Sequence, residues 1–108
     1  MSIAITISNP INDTELKFYI PFSTQSRFEK VWLKGAESLN LELIPFLDGL
    51  DINKEEWANL KCEIQKMMLW VDNNLDNEYQ DEIHERISSV IDTLDVVFKR
   101  DDAIVNFG

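Results

Sequence analysis

"SIAITISNPINDTELKFYIPF", residues 2–22, decides between an all-helical and a mixed fold. Ile3, Ile5 and Ile7 recur at every second position, which places all three on one side of an extended strand. "NPIND", residues 9–13, is turn chemistry: Pro presets one backbone angle, and Asn and Asp bond their own backbone. Beyond it Leu16, Phe18 and Ile20 alternate again, and Pro21, which has no amide proton for a ladder, closes the run. Two alternating runs joined by a short turn segment predict an antiparallel β-hairpin.

Downstream the period changes from two to that of a helix. "STQSRFEKVWLKGAESLN", residues 23–40, reads as a helix capped by Ser23 or Thr24, with Phe28, Val31, Trp32 and Leu39 on one face. That face requires the helix to continue through Gly35, which costs only about 1 kcal/mol against Ala. The alternative makes Gly35 a C-terminal cap and turns "SLNLELI", residues 38–44, into a third strand with Leu39, Leu41 and Leu43 inward. "IPFLDGLDI", residues 44–52, reads as a connection with a turn at Asp48-Gly49.

The next helix is announced by Asn53 and Glu56, an Asx form of the capping box, with Glu55 favouring the positive end of the helix dipole. Trp57, Leu60, Ile64, Met67, Met68, Val71 and Leu75 then recur at three- and four-residue spacing. A last helix begins at Asn77, with Gln80 three residues on. It turns Ile83, Ile87, Val90, Ile91, Leu94, Val97 and Phe98 inward, and Lys99 and Arg100 suit its negative end. "AIVNFG", residues 103–108, reads as a strand added to the N-terminal sheet. The expected fold is α+β: an N-terminal hairpin and a C-terminal strand in a small antiparallel sheet, with three helices packed on one face. Residues 1–108 form one compact domain in this reading.

Charge narrows the function. Residues 37–85 hold thirteen acids and three bases (Lys54, Lys61, Lys66), a net of −10, while the flanks balance at seven of each. A protein that grips a phosphate backbone needs clustered Lys and Arg, so direct nucleic-acid binding is not expected. An anionic membrane surface would repel this region as well. Residues 1–9 alternate like a strand and lack a basic start and a long apolar stretch, and nowhere does an apolar run approach the roughly 20 residues of a membrane span. The chain reads as soluble and cytoplasmic, which leaves the Asn12-Asp13-Thr14 sequon without a role. Cys62 alone permits neither an internal disulfide nor a thiolate cluster.

The search for chemistry is negative. Three scattered glycines supply no phosphate-binding loop. "HERIS", residues 84–88, starts like a zinc-protease helix, but Ser88 stands where the second His is required. His84, with Asp81 and Glu85 nearby, reads as a surface residue in a local ion network. No catalytic residue, resident metal or cofactor is expected, and the chain is not read as an enzyme.

"VDNNLDNEYQDEI", residues 71–83, is the stretch that attracts a functional reading. Asp72, Asn74 and Asp76 fall at alternate positions, Asn77 stands at the glycine place and Tyr79 at the hydrophobic one. This resembles the first half of the calcium loop of the EF-hand family. The place of the bidentate Glu is taken by Ile83, which belongs to the apolar face, and no second loop is present. The expectation is a helix–helix connection, with a calcium-responsive module as the third-ranked reading.

The acids also continue along the last helix. Asp81, Glu85, Asp92 and Asp95 occupy one side at helical spacing with Ser88 between them, and Asp72, Asp76, Glu78 and Glu82 extend the run backwards. Like charges at this density oppose helix formation and compaction modestly, so a fold that keeps them has grounds to use them. The first reading is a non-enzymatic module that covers a basic protein surface, such as a toxin or nuclease active site. Asp72, Asp76, Glu78, Asp81, Glu82, Glu85, Asp92 and Asp95 would supply the charge, and Tyr79 an aromatic anchor. In size and concentrated negative charge the chain resembles small bacterial toxin-immunity proteins. The second reading is a structural domain that assembles as a homodimer through its helices, prompted by the unbroken run Met67, Met68, Leu69, Trp70. A contrary feature is the basic trio Arg27, Lys30 and Lys34 on the first helix, which reads either as a contact for phosphate or an acidic partner or as a balance to Glu29 and the acidic region of the same chain.

Overall fold

The computed structural model describes residues 2–75 and 77–108. Its elements run β1 (Ser2–Ile7), a single helical turn α1 (Asp13–Leu16), β2 (Ile20–Thr24), α2 (residues 25–39), β3 (Leu50–Ile52), α3 (Lys54–Asn74), α4 (Asn77–Val97) and β4 (Val105–Phe107). The four strands form one antiparallel sheet in the order β2-β1-β4-β3, so the C-terminal strand sits inside the sheet beside β1. The architecture is α+β, with α2, α3 and α4 on one face. The row Ile5, Phe107 and Leu50 and the row Ile7, Val105 and Ile52 turn toward the helices, and the row Thr6, Asn106 and Asp51 turns away. On that outer row Asp51 Oδ1 accepts from Asn106 Nδ2 at 2.9 Å and from Ser8 Oγ at 3.2 Å.

The hairpin forms, but its second strand starts later than the alternation suggests. Asn12 Oδ1 accepts from the Glu15 amide at 2.8 Å and Glu15 Oε1 from the Ile11 amide at 3.3 Å, a reciprocal cap that winds residues 13–16 into a helical turn. Leu16 is therefore exposed, and Phe18 only half-buried, instead of lining the sheet. The strand instead passes through Pro21 to Thr24. Proline is tolerated there because β2 is an edge strand, and its carbonyl accepts from Arg86 Nη1 at 3.0 Å. Pairing with β1 skips Phe22, an irregularity between Ile3 and Ala4. Phe22 packs inward, 4.9 Å from the Trp32 ring and 5.5 Å from that of Phe107.

Helix α2 does run through Gly35. Thr24 caps it by accepting from the Arg27 amide at 3.1 Å, and one wide turn over Phe28–Trp32 interrupts its α-helical bonding. Phe28, Trp32 and Ala36 are buried, Val31 is half-buried, and Leu39 is exposed at the helix end. The stop is Asn40, at φ 56°, in the left-handed conformation that Asn tolerates. Residues 40–43 are not a strand. Gly35 lies against α3, where a Cβ would meet Met67 Cε at 2.5 Å. The segment 44–52 holds more than a connection: Ile44–Phe46 form a 3-10 turn, and after the Asp48-Gly49 turn the residues Leu50–Ile52 add β3 to the sheet. Glu63 of α3 fixes this segment by accepting from the amides of Leu43 and Ile44 at 3.0 and 3.2 Å.

The two long helices follow their periodicity closely. The Asn53–Glu56 capping box is formed in both directions. Trp57, Leu60, Ile64, Met67 and Val71 from α3 and Ile83, Ile87, Val90 and Leu94 from α4 enter one core with the sheet, joined by Phe98 just past the end of α4. Met68, Leu75, Ile91 and Val97 pack against its margin. Among the described residues no helix is long and apolar enough to cross a membrane.

Candidate functional site

Residues 72–74 and 77–83 are helical. Asp72, Asn73 and Asn74 complete α3 and α4 begins at Asn77, so the stretch joins two helices. Its polar groups serve that connection. Gln80 Nε2 donates to the carbonyls of Leu75 at 2.6 Å and Asp72 at 3.0 Å, which satisfies the open C-terminal end of α3 from the next helix. Asn73 and Asn74 turn back to donate to the carbonyls of Leu69 and Trp70. Ile83 is in the core. Among the described residues, no three His, Cys, Asp or Glu side chains are placed to hold a metal ion.

The nine residues singled out in the sequence divide into two groups, with Asp76 lying outside the described residues. One group ties α4 to its neighbours. Asp72 Oδ1 lies 2.6 Å from His84 Nε2, linking α3 to α4 and forming an ion pair whenever the imidazole is protonated. Glu82 accepts from Arg27 Nη1 at 2.8 Å and, more weakly, from Nη2 at 3.4 Å. The hydrogen bond and the charge of Arg27, with a smaller contribution from Arg86, hold the Glu82 carboxyl below the usual carboxylate range. Arg27 also lies 5.9 Å from the ring centre of Tyr79, which is half exposed. Asp95 accepts from Lys61 Nζ at 2.8 Å and from Trp57 Nε1 at 2.9 Å. Those bonds, that from Lys61 first, lower its pKa against a partial opposing effect of burial.

The second group is Glu78, Asp81, Glu85 and Asp92. All four are exposed, and among the described residues none is ion-paired or hydrogen-bonded to another side chain. At 1.5 Å per residue they form a stripe about 21 Å long on the solvent side of α4, opposite Ile83, Ile87, Val90 and Leu94. Ser88 and Ser89 fill the gap in it, and Val96, 62% exposed, stands one turn beyond Asp92.

The remaining features resolve into local structure. The basic trio on α2 serves the chain itself through Arg27, while Lys30 and Lys34 are exposed. In the run Met67–Trp70, Met67 is fully buried and Met68 and Trp70 pack against the core, which leaves Leu69 as the exposed member. Cys62 is exposed on the outer side of α3. A crevice of about 150 Å³ lies between β2 and α4, walled by Phe22, Trp32, Ile83 and Ile87 and rimmed by Arg27, Glu82 and Arg86. Arg100, which the sequence marks only as a cation suited to the end of α4, does more than that. Its Nη2 donates to the carbonyl of Asn9 at 2.8 Å and to Asn9 Oδ1 at 3.1 Å, and lies 3.0 Å from Glu15 Oε1. Asn9 in turn accepts from the Ile104 amide and donates to the Asp102 carbonyl, joining the β1–β2 connection to the turn before β4. These partners are about ninety residues apart in the chain, and no local pattern announces them.

No protein-family model matches the chain, and no curated protein or solved structure is significantly similar to it.

Proposed function

We propose that this chain is a non-enzymatic protein-binding module, an acidic inhibitor or immunity-type protein acting in the cytoplasm. It covers a basic surface of another protein, such as the active site of a nuclease or other toxin. The observation that carries this reading is the stripe Glu78, Asp81, Glu85 and Asp92, exposed and without an ion-pair partner among the described residues. Asp72, Glu82 and Asp95 are bonded to cations or an imidazole and have structural work to do; among the described residues the four stripe acids form no such pair. Its length of about 21 Å crosses most of one side of a standard-size interface, about 800 Å² per partner.

Binding would proceed in two stages. The field of a chain with net charge −10 draws in a positive surface, and the stripe then sits against that surface and excludes its natural ligand. Association should therefore slow steeply with added salt, because such attraction is screened beyond about 8–10 Å at physiological ionic strength. Self-assembly is the weaker reading, since the apolar run that suggested it is largely spent inside the fold.

The test compares the wild-type chain with Asp81→Lys/Glu85→Lys as baits in lysate at low salt, with stepwise salt elution and mass spectrometry. A basic protein held by the wild type and lost from the variant, released by salt, supports the reading. Equal recovery on both baits, or no specific partner on either, refutes it, and sedimentation over a range of concentrations would then test self-association.

A further inference from the structure

Four exposed apolar side chains belong to two segments that the packing brings to one end of the molecule. Ile11, Leu16, Tyr19 and Val96 are each between 61% and 68% exposed. Three belong to the β1–β2 connection and the fourth to the last turns of α4. Their neighbourhood follows from the packing. Strand β2 runs opposite to α4: Thr24 lines the same crevice as Glu82, Pro21 is bonded to Arg86, and Ile20 shares a hollow with Ser89. The residues before Ile20 therefore lie beside the C-terminal half of α4. Arg100, four residues after Val96, reaches Asn9 and Glu15, which brings Leu16 and Ile11 to the same end.

The β1–β2 connection is tied down at Asn9, Ile11 and Glu15. Glu15 is held by Arg100 and by the Ile11 amide, and Asn9 by Arg100, Ile104 and Asp102. Monomeric proteins seldom keep several large apolar side chains exposed together, and such groups mark contact surfaces. A rigid patch loses little entropy when a partner covers it.

We propose that this patch is the apolar half of the docking surface, and that its occupant is a basic amphipathic segment of the partner, with apolar side chains beside its Lys and Arg. The inference rests on the proposed function above and adds where the partner anchors and what it must present. Charge complementarity selects this occupant. Val96 continues the acid stripe one turn past Asp92, so a segment lying on α4 meets carboxylates first and then apolar surface. A second copy of the chain would bring its own acids against the same stripe, and like charges face to face oppose that pairing.

The probes are two labelled helical peptides of equal charge: one with a Leu face and a Lys face, the other with each Leu replaced by Ala. Fluorescence anisotropy gives their affinities for the wild type, Leu16→Ser/Val96→Ser and Glu85→Lys/Asp92→Lys, all substituted at exposed positions, with circular dichroism to check the fold. The Leu peptide should bind the wild type about tenfold or more tighter than the Ala peptide. Leu16→Ser/Val96→Ser should remove that difference while keeping the salt-dependent part. Equal affinity of the two peptides, abolished only by Glu85→Lys/Asp92→Lys, overturns the apolar anchor and leaves the charged stripe standing. Failure of both peptides to bind, or binding indifferent to both variants, overturns the anchor and the stripe together.

Discussion

Replacing Gly35 by Ala should destabilise this protein, although it adds a better helix former to the interior of a helix. By propensity alone the change is worth up to about 1 kcal/mol in favour of folding. The structure opposes it: the new methyl would stand 2.5 Å from Met67 Cε, 2.6 Å from Met67 Sδ and 3.0 Å from Trp70 Cε3. Met67 is a flexible side chain but is fully buried, so it can yield only by moving its neighbours. Overpacking of this kind costs about 1–3 kcal/mol, which leaves a net loss of about 1 kcal/mol. Urea unfolding followed by tryptophan fluorescence reads this directly. With a slope of about 1–3 kcal/mol per molar urea, the midpoint should fall by about 0.3–1 M. Met67→Val removes both overlapping atoms and supplies the decisive control. Alone it should cost about 1–3 kcal/mol through the space it leaves. In that background Gly35→Ala should become neutral or mildly stabilising, giving a coupling of about 1–2 kcal/mol. A higher midpoint for Gly35→Ala in the wild-type background would show that α2 and α3 are not packed as closely as described.

Three further outcomes follow from individual contacts. Asp95→Asn should cost about 1 kcal/mol near neutral pH, with the ion-pair part discounted because the carboxylate is 43% exposed. The folded pKa of Asp95 is lowered, so its contribution is present above the ordinary Asp value of 3.8 and disappears as pH falls through the lowered one; wild-type and variant unfolding curves should converge there. Glu85→Lys should raise stability by about 0.5 kcal/mol at low salt, since it converts a repulsive pair with Asp81 one turn back into an attractive one. The same change should weaken partner capture, so thermal melts and binding should move in opposite directions. Gln80→Ala should lower stability by about 1 kcal/mol in urea titrations by removing the donor to the Leu75 and Asp72 carbonyls.

How much of this was legible in the sequence depended on the range of the forces involved. Signals contained within one helix could be read: the Asn53–Glu56 box, the apolar faces of α3 and α4, and the alternation of Ile3, Ile5 and Ile7. Competition between two local signals produced the misplacement of β2. Leu16, Phe18 and Ile20 alternate like a strand, while Asn12 and Glu15 carry a helix-capping pair that wins and winds α1. Asn12 and Glu15, three residues apart, carry the signal for that turn. β3 was not legible because three residues are too few for a period to emerge, and Leu50–Ile52 is a strand only because β4 lies beside it. Within the acidic run, the division into spent and unspent carboxylates depended on long-range partners. Arg27 is 55 residues from Glu82, and Lys61 is 34 from Asp95, distances over which spacing carries no information.

The inner position of β4 has a mechanical consequence. Ile5 pairs with Phe107 and Ile7 with Val105, while the Ala4 and Gly108 backbones bond each other at 2.9 and 3.3 Å. The start of β1 and the end of β4 thus lie side by side at one edge of the ladder. Tension applied between residues 2 and 108 acts across those hydrogen bonds and loads them one after another, as a zipper opens. Shear along the strands would load them all together. A chain held this way should yield to small pulling forces applied at residues 2 and 108, with β1 and β4 parting before α3 and α4 begin to unravel.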